Sequence, residues 1–209
     1  MSYKIDLRRS ILDTTRHLLI QDGIAQLSMR KVARAVGCSV GSIYVYFANK
    51  DELVHALIEE GFDMELALQQ QVAEQHHNPR ERLEALCRLY VQFAFENPEY
   101  YEIMYMLDPE RMARYPAEKY RKARRGLELI ADTIAECAAQ GLLEVEEPFT
   151  EATFIWTQLH GMVSLFKADR IDHRIDREQF IDYAIRRLLG EKTLLSAPSR
   201  TDDGKTSNP

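Results

Sequence analysis

Cysteine is scarce, and no two cysteines stand in CxxC spacing. The chain of 209 residues has three, Cys38, Cys87 and Cys137. So few, so far apart, argue against a disulfide scaffold or a zinc ribbon and fit a reducing compartment. The first residues hold no apolar signal core, and no run of about 18 apolar residues occurs. Neither secretion nor a membrane span is therefore expected, and the expected location is cytoplasmic. GxSxG, Walker, Rossmann-glycine and HExxH patterns are missing too. No catalytic residue, metal site or cofactor is expected. Alternation of period two, the strand signal, is absent, and so are internal repeats. The nine glycines and seven prolines sit mostly at apparent helix ends, which leaves room for long helices.

What is present is an ordinary globular composition, 45% apolar and 29% charged, long enough for a buried core. A net charge of −6 looks wrong for a nucleic-acid binder, but its distribution is uneven. Residues 1–50 carry Lys4, Arg8, Arg9, Arg16, Arg30, Lys31, Arg34 and Lys50 against Asp6, Asp13 and Asp22, an excess of five positive charges, and the remainder is strongly acidic. A basic head on an acidic body is the asymmetry expected when one end meets phosphate.

Helical periodicity runs through the chain. Residues 4–22 predict a first helix with Ile5, Ile11, Leu12, Thr15, Leu18 and Leu19 inward, stopped by Gly23. Its Arg8, Arg9 and Arg16 either touch flanking phosphates or stay solvated. Ser28 is an N-cap for a helix with Met29, Val32, Ala33 and Val36 on one face, ended by Gly37. Ser39 opens a second short helix, residues 39–47, that buries Ile43 and Phe47. Asn49 caps a long helix from Lys50 to about residue 77. Two short helices joined by a tight Gly-containing turn are the helix-turn-helix plan, whose second helix enters the major groove.

The run Gly37-Cys38-Ser39-Val40-Gly41-Ser42-Ile43-Tyr44-Val45-Tyr46-Phe47, followed by Asn49-Lys50-Asp51-Glu52-Leu53, resembles the DNA-binding signature of the TetR family of bacterial transcriptional regulators. The resemblance implies a homodimer on a palindromic double-stranded DNA operator, acting as a repressor released by a small molecule. It also implies that Tyr46 and Lys50 hold the DNA backbone, that Tyr44 lies at the interface, and that the long helix transmits ligand state. Gly41 and Ser42 let the backbone approach DNA closely. Ser28, Ser39 and Val40 complete the candidate DNA-binding set, with Val40 equally able to pack inward. The second helix holds no Arg, Asn or Gln to read a base in bidentate fashion, so Arg30 is the candidate base contact.

Beyond residue 50 the sequence predicts a helical bundle, giving an all-α chain of about nine helices. The division expected is a helix-turn-helix domain at 1–50 (the TetR-type region spanning about 5–65), a ligand-binding and dimerisation domain at 51–195, and a disordered tail at 196–209. Asn78-Pro79 and Asn97-Pro98 start new helices, and Pro109 and Pro116 bracket a connector. Phe93, Tyr101, Met104, Tyr105, Trp156 and His160 are the candidate lining of a pocket for an apolar or aromatic effector. Aromatic and Met stripes equally serve as plain core. In the segment 150–168, Gly161, Ser164 and Ala168 form a small-residue strip. Together with Trp156, His160, Leu165, Ala184 and Leu188, Gly161 and Ser164 are the candidate dimer interface. The pattern Trp156…Leu159-His160-Gly161 also resembles the regulatory domain of one TetR subgroup. The rival reading is an all-α enzyme or ligand carrier whose helix-turn-helix is coincidental. It would need titratable residues clustered in an apolar cavity, where the sequence offers only His160 and scattered tyrosines. The adjacent His76 and His77 point in different directions on a helix and cannot share a metal. Nothing near Cys38 in the sequence argues for a depressed thiol pKa.

Overall fold

A computed structural model describes residues 2–107 and 117–190, without the side chains of 2–6 and 117–123. Among the described residues the chain is all-α, with nine helices. They are α1 (Ser2–Asp22), α2 (Met29–Val36), α3 (Val40–Tyr44), α4 (Lys50–Gln75), α5 (Pro79–Glu96), α6 (Pro98–Tyr101), α7 (Ala117–Ala139), α8 (Pro148–Lys167) and α9 (Arg177–Leu188). A π-helical turn, Glu102–Met106, continues α6. The expected burial of Ile5, the connector at Pro109 and Pro116 and the tail at 196–209 lie outside the described residues. No described helix is long and apolar enough to cross a membrane.

Side chains placed at helix starts set the boundaries. The first amides of a helix have no intrahelical acceptor, so a short polar side chain just before them is stabilising. Ser28 Oγ accepts from Lys31 N at 3.2 Å, and Asn78 Oδ1 accepts from Arg80 N at 2.8 Å. Asp176 Oδ1 accepts from Gln179 N at 2.9 Å. Gly37 closes α2 at φ 79°, a left-handed conformation that a Cβ would oppose. At the start of α4, Asn49 Oδ1 accepts from Glu52 N at 2.8 Å while Glu52 Oε2 accepts from Ala48 N at 2.6 Å. Replacing Asn49 with Ala is expected to lower the urea-unfolding free energy by about 1 kcal/mol.

Two apolar clusters hold the helices. The first joins α1 to α4 through Ile11, Leu12, Val32, Ile43, Phe47, Leu53 and Leu57. The second joins α5, α7, α8 and α9 through Leu83, Leu86, Ile134, Ile155, Leu159 and Ile185. The segment from Pro98 to Met106 touches both. Tyr101 belongs to the second cluster and Ile103, two residues on, to the first, and both are fully buried.

Candidate nucleic-acid interface and interior cavity

α3 is shorter than the sequence predicts. The Ile43 carbonyl accepts from both Tyr46 N and Phe47 N, at 2.9 and 3.0 Å. This tightens the last turn and draws Phe47 inward, so the helix ends at Tyr44. Ile43 and Phe47 are buried, as their spacing predicts. The opposite side of α3 faces outward. Tyr44 is 53% exposed and Val45 is 72% exposed. Gly41 is exposed as well, and a Cβ built there would meet only Ser39 Oγ, at 3.7 Å. Ser39 Oγ accepts from Ser42 N at 3.0 Å and pairs with Ser42 Oγ at 2.8 Å, so both hydroxyls are engaged in capping α3. Val40 and Tyr46 are half-buried and pack against the first cluster. Lys50 is half-buried, with Nζ 3.5 Å from the Ile24 carbonyl oxygen.

The basic side chains separate into two groups. Arg30 and Arg34 are exposed and have no ion pair or hydrogen bond among the described residues. Arg8 is exposed and sits 5.5 Å over the Phe47 ring. Arg9, although exposed, and Arg16, largely covered, are both engaged by carboxylates within the chain. Arg9 bonds Asp13 and Glu60, and Arg16 bonds Glu99 at 2.7 Å and the Tyr100 hydroxyl at 2.8 Å. Tyr100 in turn donates to Glu60. This network ties α1 to α4 and α6 through partners 51 to 84 residues away in sequence.

A cavity of about 430 Å³ lies between α4, α5, α7 and α8. Phe62, Glu65, Leu66 and Gln69 of α4 form one wall, and Arg124, Gly126, Leu127 and Ile130 of α7 another. Tyr90, Tyr105 and Trp156 complete it. Of the six residues expected to line a pocket, Tyr105 and Trp156 do so. The other four are displaced from it for separate reasons. Phe93 is 1% exposed within α5. Met104 is packed against Gly61, whose Cβ, if built, would lie 2.3 Å from its sulfur. Tyr101 bonds Ser164 Oγ at 2.9 Å and His160 Nδ1 at 3.1 Å. His160 also takes the Tyr90 hydroxyl at 2.9 Å and is covered by the Tyr105 and Trp156 rings. Burial pushes the His160 pKa down, which favours the neutral ring.

Sequence reasoning missed the α4 and α7 walls. A signal was available, since Phe62, Glu65, Leu66 and Gln69 share one helical face, and an acid and an amide stand there among apolar residues. Glu65 is 6% exposed and Gln69 is 4% exposed. Burial raises the Glu65 pKa to about 7, against which the Tyr105 hydroxyl, donating at 2.8 Å, lowers it. Burial likewise raises the Tyr105 pKa, and the neighbouring Glu65 adds to the effect.

The expected dimer face divides. Trp156, His160 and Ser164 turn inward to the tyrosines, because steps of four keep them on one side of α8. Gly161 and Leu165 lie on the adjacent side with Phe154; Leu165 is 48% exposed and Phe154 is 49% exposed. Ala184 and Leu188 of α9 are half-buried.

Comparison with known proteins agrees with this architecture. The profile for bacterial regulatory proteins of the tetR family matches residues 11–57, and that for the tetracyclin repressor-like C-terminal domain matches residues 83–188. An uncharacterised HTH-type transcriptional regulator of Haemophilus influenzae is 41% identical over 64 residues, 31% of this chain and 34% of that protein. The HTH-type transcriptional repressor KstR2 of Mycobacterium tuberculosis is 26% identical over 117 residues, 56% of this chain and 58% of that protein. The chain thus spans less than two thirds of either relative. A solved protein of unknown function from Rhodococcus sp. RHA1 has the same fold, with TM-score 0.76 at 24% identity, over 88% of this chain and 93% of that one. With one profile on the helix-turn-helix and another on half of the chain, this protein belongs to the TetR family of bacterial regulators.

Proposed function

We propose that the chain is a cytoplasmic, homodimeric transcriptional regulator that grips an operator through α2 and α3 and is controlled by a small molecule held in the cavity. The DNA-binding unit is residues 1–50, and the effector and dimerisation unit is residues 51–195. The observation that carries this reading is the outer face of α3. Ile43 and Phe47 fix the helix to its core, while Gly41, Tyr44 and Val45 are left exposed. Small and hydroxylated residues on an anchored helix suit close approach to a groove and contact with phosphate. Tyr44, Tyr46 and Lys50 grip the backbone, Val45 faces a thymine methyl, and Arg30 reads a base edge.

The segment from Pro98 to Met106 supplies the link between cavity and DNA-binding unit. Tyr105 lines the cavity, Ile103 is part of the N-terminal core, and Glu99 and Tyr100 hold Arg16 of α1. A ligand that displaces Tyr105 therefore acts on a segment bonded directly to the DNA-binding unit. It shifts the equilibrium between head arrangements by its differential affinity for them. The two copies meet through the outer face of α8, Phe154, Gly161 and Leu165, together with Ala184 and Leu188 of α9. Gly161 is consistent with this, because a Cβ there would meet nothing within 4 Å inside the chain. A helical glycine costs roughly 1 kcal/mol relative to alanine, and a close-packed partner helix gives it a reason.

Gel shifts at increasing salt test the reading. Affinity should fall linearly on logarithmic axes with a slope of about −0.9 for each phosphate neutralised. Lys50→Ala should weaken binding to all duplexes alike, whereas Arg30→Ala should change the preference among them. Salt-insensitive binding would instead favour the enzyme or carrier. Separately, Gly161→Glu is expected to sediment as a monomer; a variant that stays dimeric would move the interface elsewhere.

A further inference from the structure

The cavity is apolar on most of its surface, and two of the buried polar groups in its described lining, the Glu65 carboxylate and Gln69 Oε1, offer acceptors to it. Glu65 and Gln69 stand one turn apart on α4, both more than nine-tenths buried, and both line it. The Glu65 carboxylate receives one hydrogen bond, from Tyr105, and has no ion-pair partner among the described residues. Gln69 Oε1 has no hydrogen-bond partner among them at all. Gly126 of α7 makes room for that amide, since a Cβ there would come within 2.8 Å of Gln69 Oε1. Leaving such an acceptor buried and unpaired costs about 1–3 kcal/mol, and an arrangement of this kind calls for an explanation.

We infer that the effector is a hydrophobic organic cation, an ammonium group on a largely aromatic or aliphatic body, whose N–H donors meet the Glu65 carboxylate and Gln69 Oε1. The inference rests on the reading of this cavity as the effector site. An ammonium has donors and no acceptors, which is the complement of these two groups. The rings of Phe62, Tyr105 and Trp156 stand around the same space, with centroids 5.8 Å apart for Phe62–Tyr105 and 6.2 Å for Tyr105–Trp156. Such faces attract a cation by their quadrupoles. A carboxylate ligand meets the opposite situation. It would face Glu65, and Arg124, the one basic residue of the lining among the described residues, has its guanidinium bonded to Glu128 and placed 4.8 Å over the Phe149 ring. An ammonium also takes the place of the proton that burial otherwise holds on Glu65 near neutral pH. The volume of the cavity falls in the range of small-molecule sites.

The test uses the full chain and three probes of one shape: 4-biphenylmethylamine, 4-biphenylmethanol and biphenyl-4-carboxylate. Trp156 is the only tryptophan and lines the cavity, so its fluorescence reports occupancy without a label. At about pH 8, where the amine stays protonated, it should bind at least about tenfold more tightly than the alcohol or the carboxylate. Glu65→Gln should reduce the amine to the alcohol's affinity and leave the alcohol almost unchanged. Gln69→Leu should weaken the amine severalfold and the alcohol less. Equal or tighter binding of the alcohol or the carboxylate overturns the cation while leaving an effector cavity. No fluorescence change with any of the three overturns the cation and the cavity's role together.

Discussion

A Gly41→Glu chain is expected to bind DNA at least about a hundredfold more weakly than the parent, because like charges brought together at an interface cost several kcal/mol. The residue lies in the first turn of α3, on the side away from Ile43, with open space before it. A carboxylate there would stand where a phosphate or a groove wall must approach. The fold should be indifferent. The nearest atom to a new Cβ is Ser39 Oγ, at an ordinary contact distance of 3.7 Å. Helix propensity and the helix dipole both favour Glu over Gly near a helix start. Circular dichroism melting and fluorescence anisotropy on the same sample separate the two effects. If Gly41→Glu kept the parent's DNA affinity, α3 would not be the element in the groove.

Glu65→Gln is expected to make the protein more stable than the parent at about pH 8, by up to about 3 kcal/mol, and no different below about pH 4. The sign follows from where the proton sits. An unfolded Glu titrates at 4.5, whereas burial raises the folded group to about 7. Between those values the folded protein holds a proton that the unfolded chain has released. Stability of the parent therefore falls as pH rises through this interval, and above about 7 the fold carries the cost of a buried carboxylate. Glutamine keeps an acceptor for the Tyr105 hydroxyl and does not titrate. His160 titrates in the opposite sense, since its folded pKa is lowered, but it does so in both chains and drops out of the difference. Urea unfolding at several pH values gives the comparison. Parallel pH profiles for the two chains would mean that Glu65 is not buried as described.

Local chemistry made much of this fold legible from sequence. Ser28, Ser39, Asn49 and Asn78 all accept an amide at the start of the helix that their position predicts. Gly37 has the left-handed conformation needed to end α2. Each of these involves residues at most a few positions apart, where spacing alone carries the information. What stayed hidden depends on partners far away in the chain. Arg9 and Arg16 read as solvent or phosphate contacts because their acceptors, Glu60 and Glu99, come from α4 and the start of α6. Periodicity showed that Phe93, Tyr101 and Met104 face inward. It could not show that neighbouring side chains cover Phe93 and Tyr101 and that Met104 packs on Gly61, while Phe62, Leu66 and Leu127 are left facing a void. On α8 the sequence grouped Trp156, His160, Gly161, Ser164 and Leu165 as one face. The helix separates them into an inner row touching tyrosines and an outer row without such contacts, a distinction that needs the neighbouring helices in place.

The account's central claim is that this chain recognises a DNA sequence as a symmetric pair, and selection from a random duplex pool by the intact protein tests it most directly. The predicted result is enrichment of an inverted repeat whose half-sites are centred one helical turn, about 10 base pairs, or a multiple of that apart. A selected pool indistinguishable from the starting pool would contradict it.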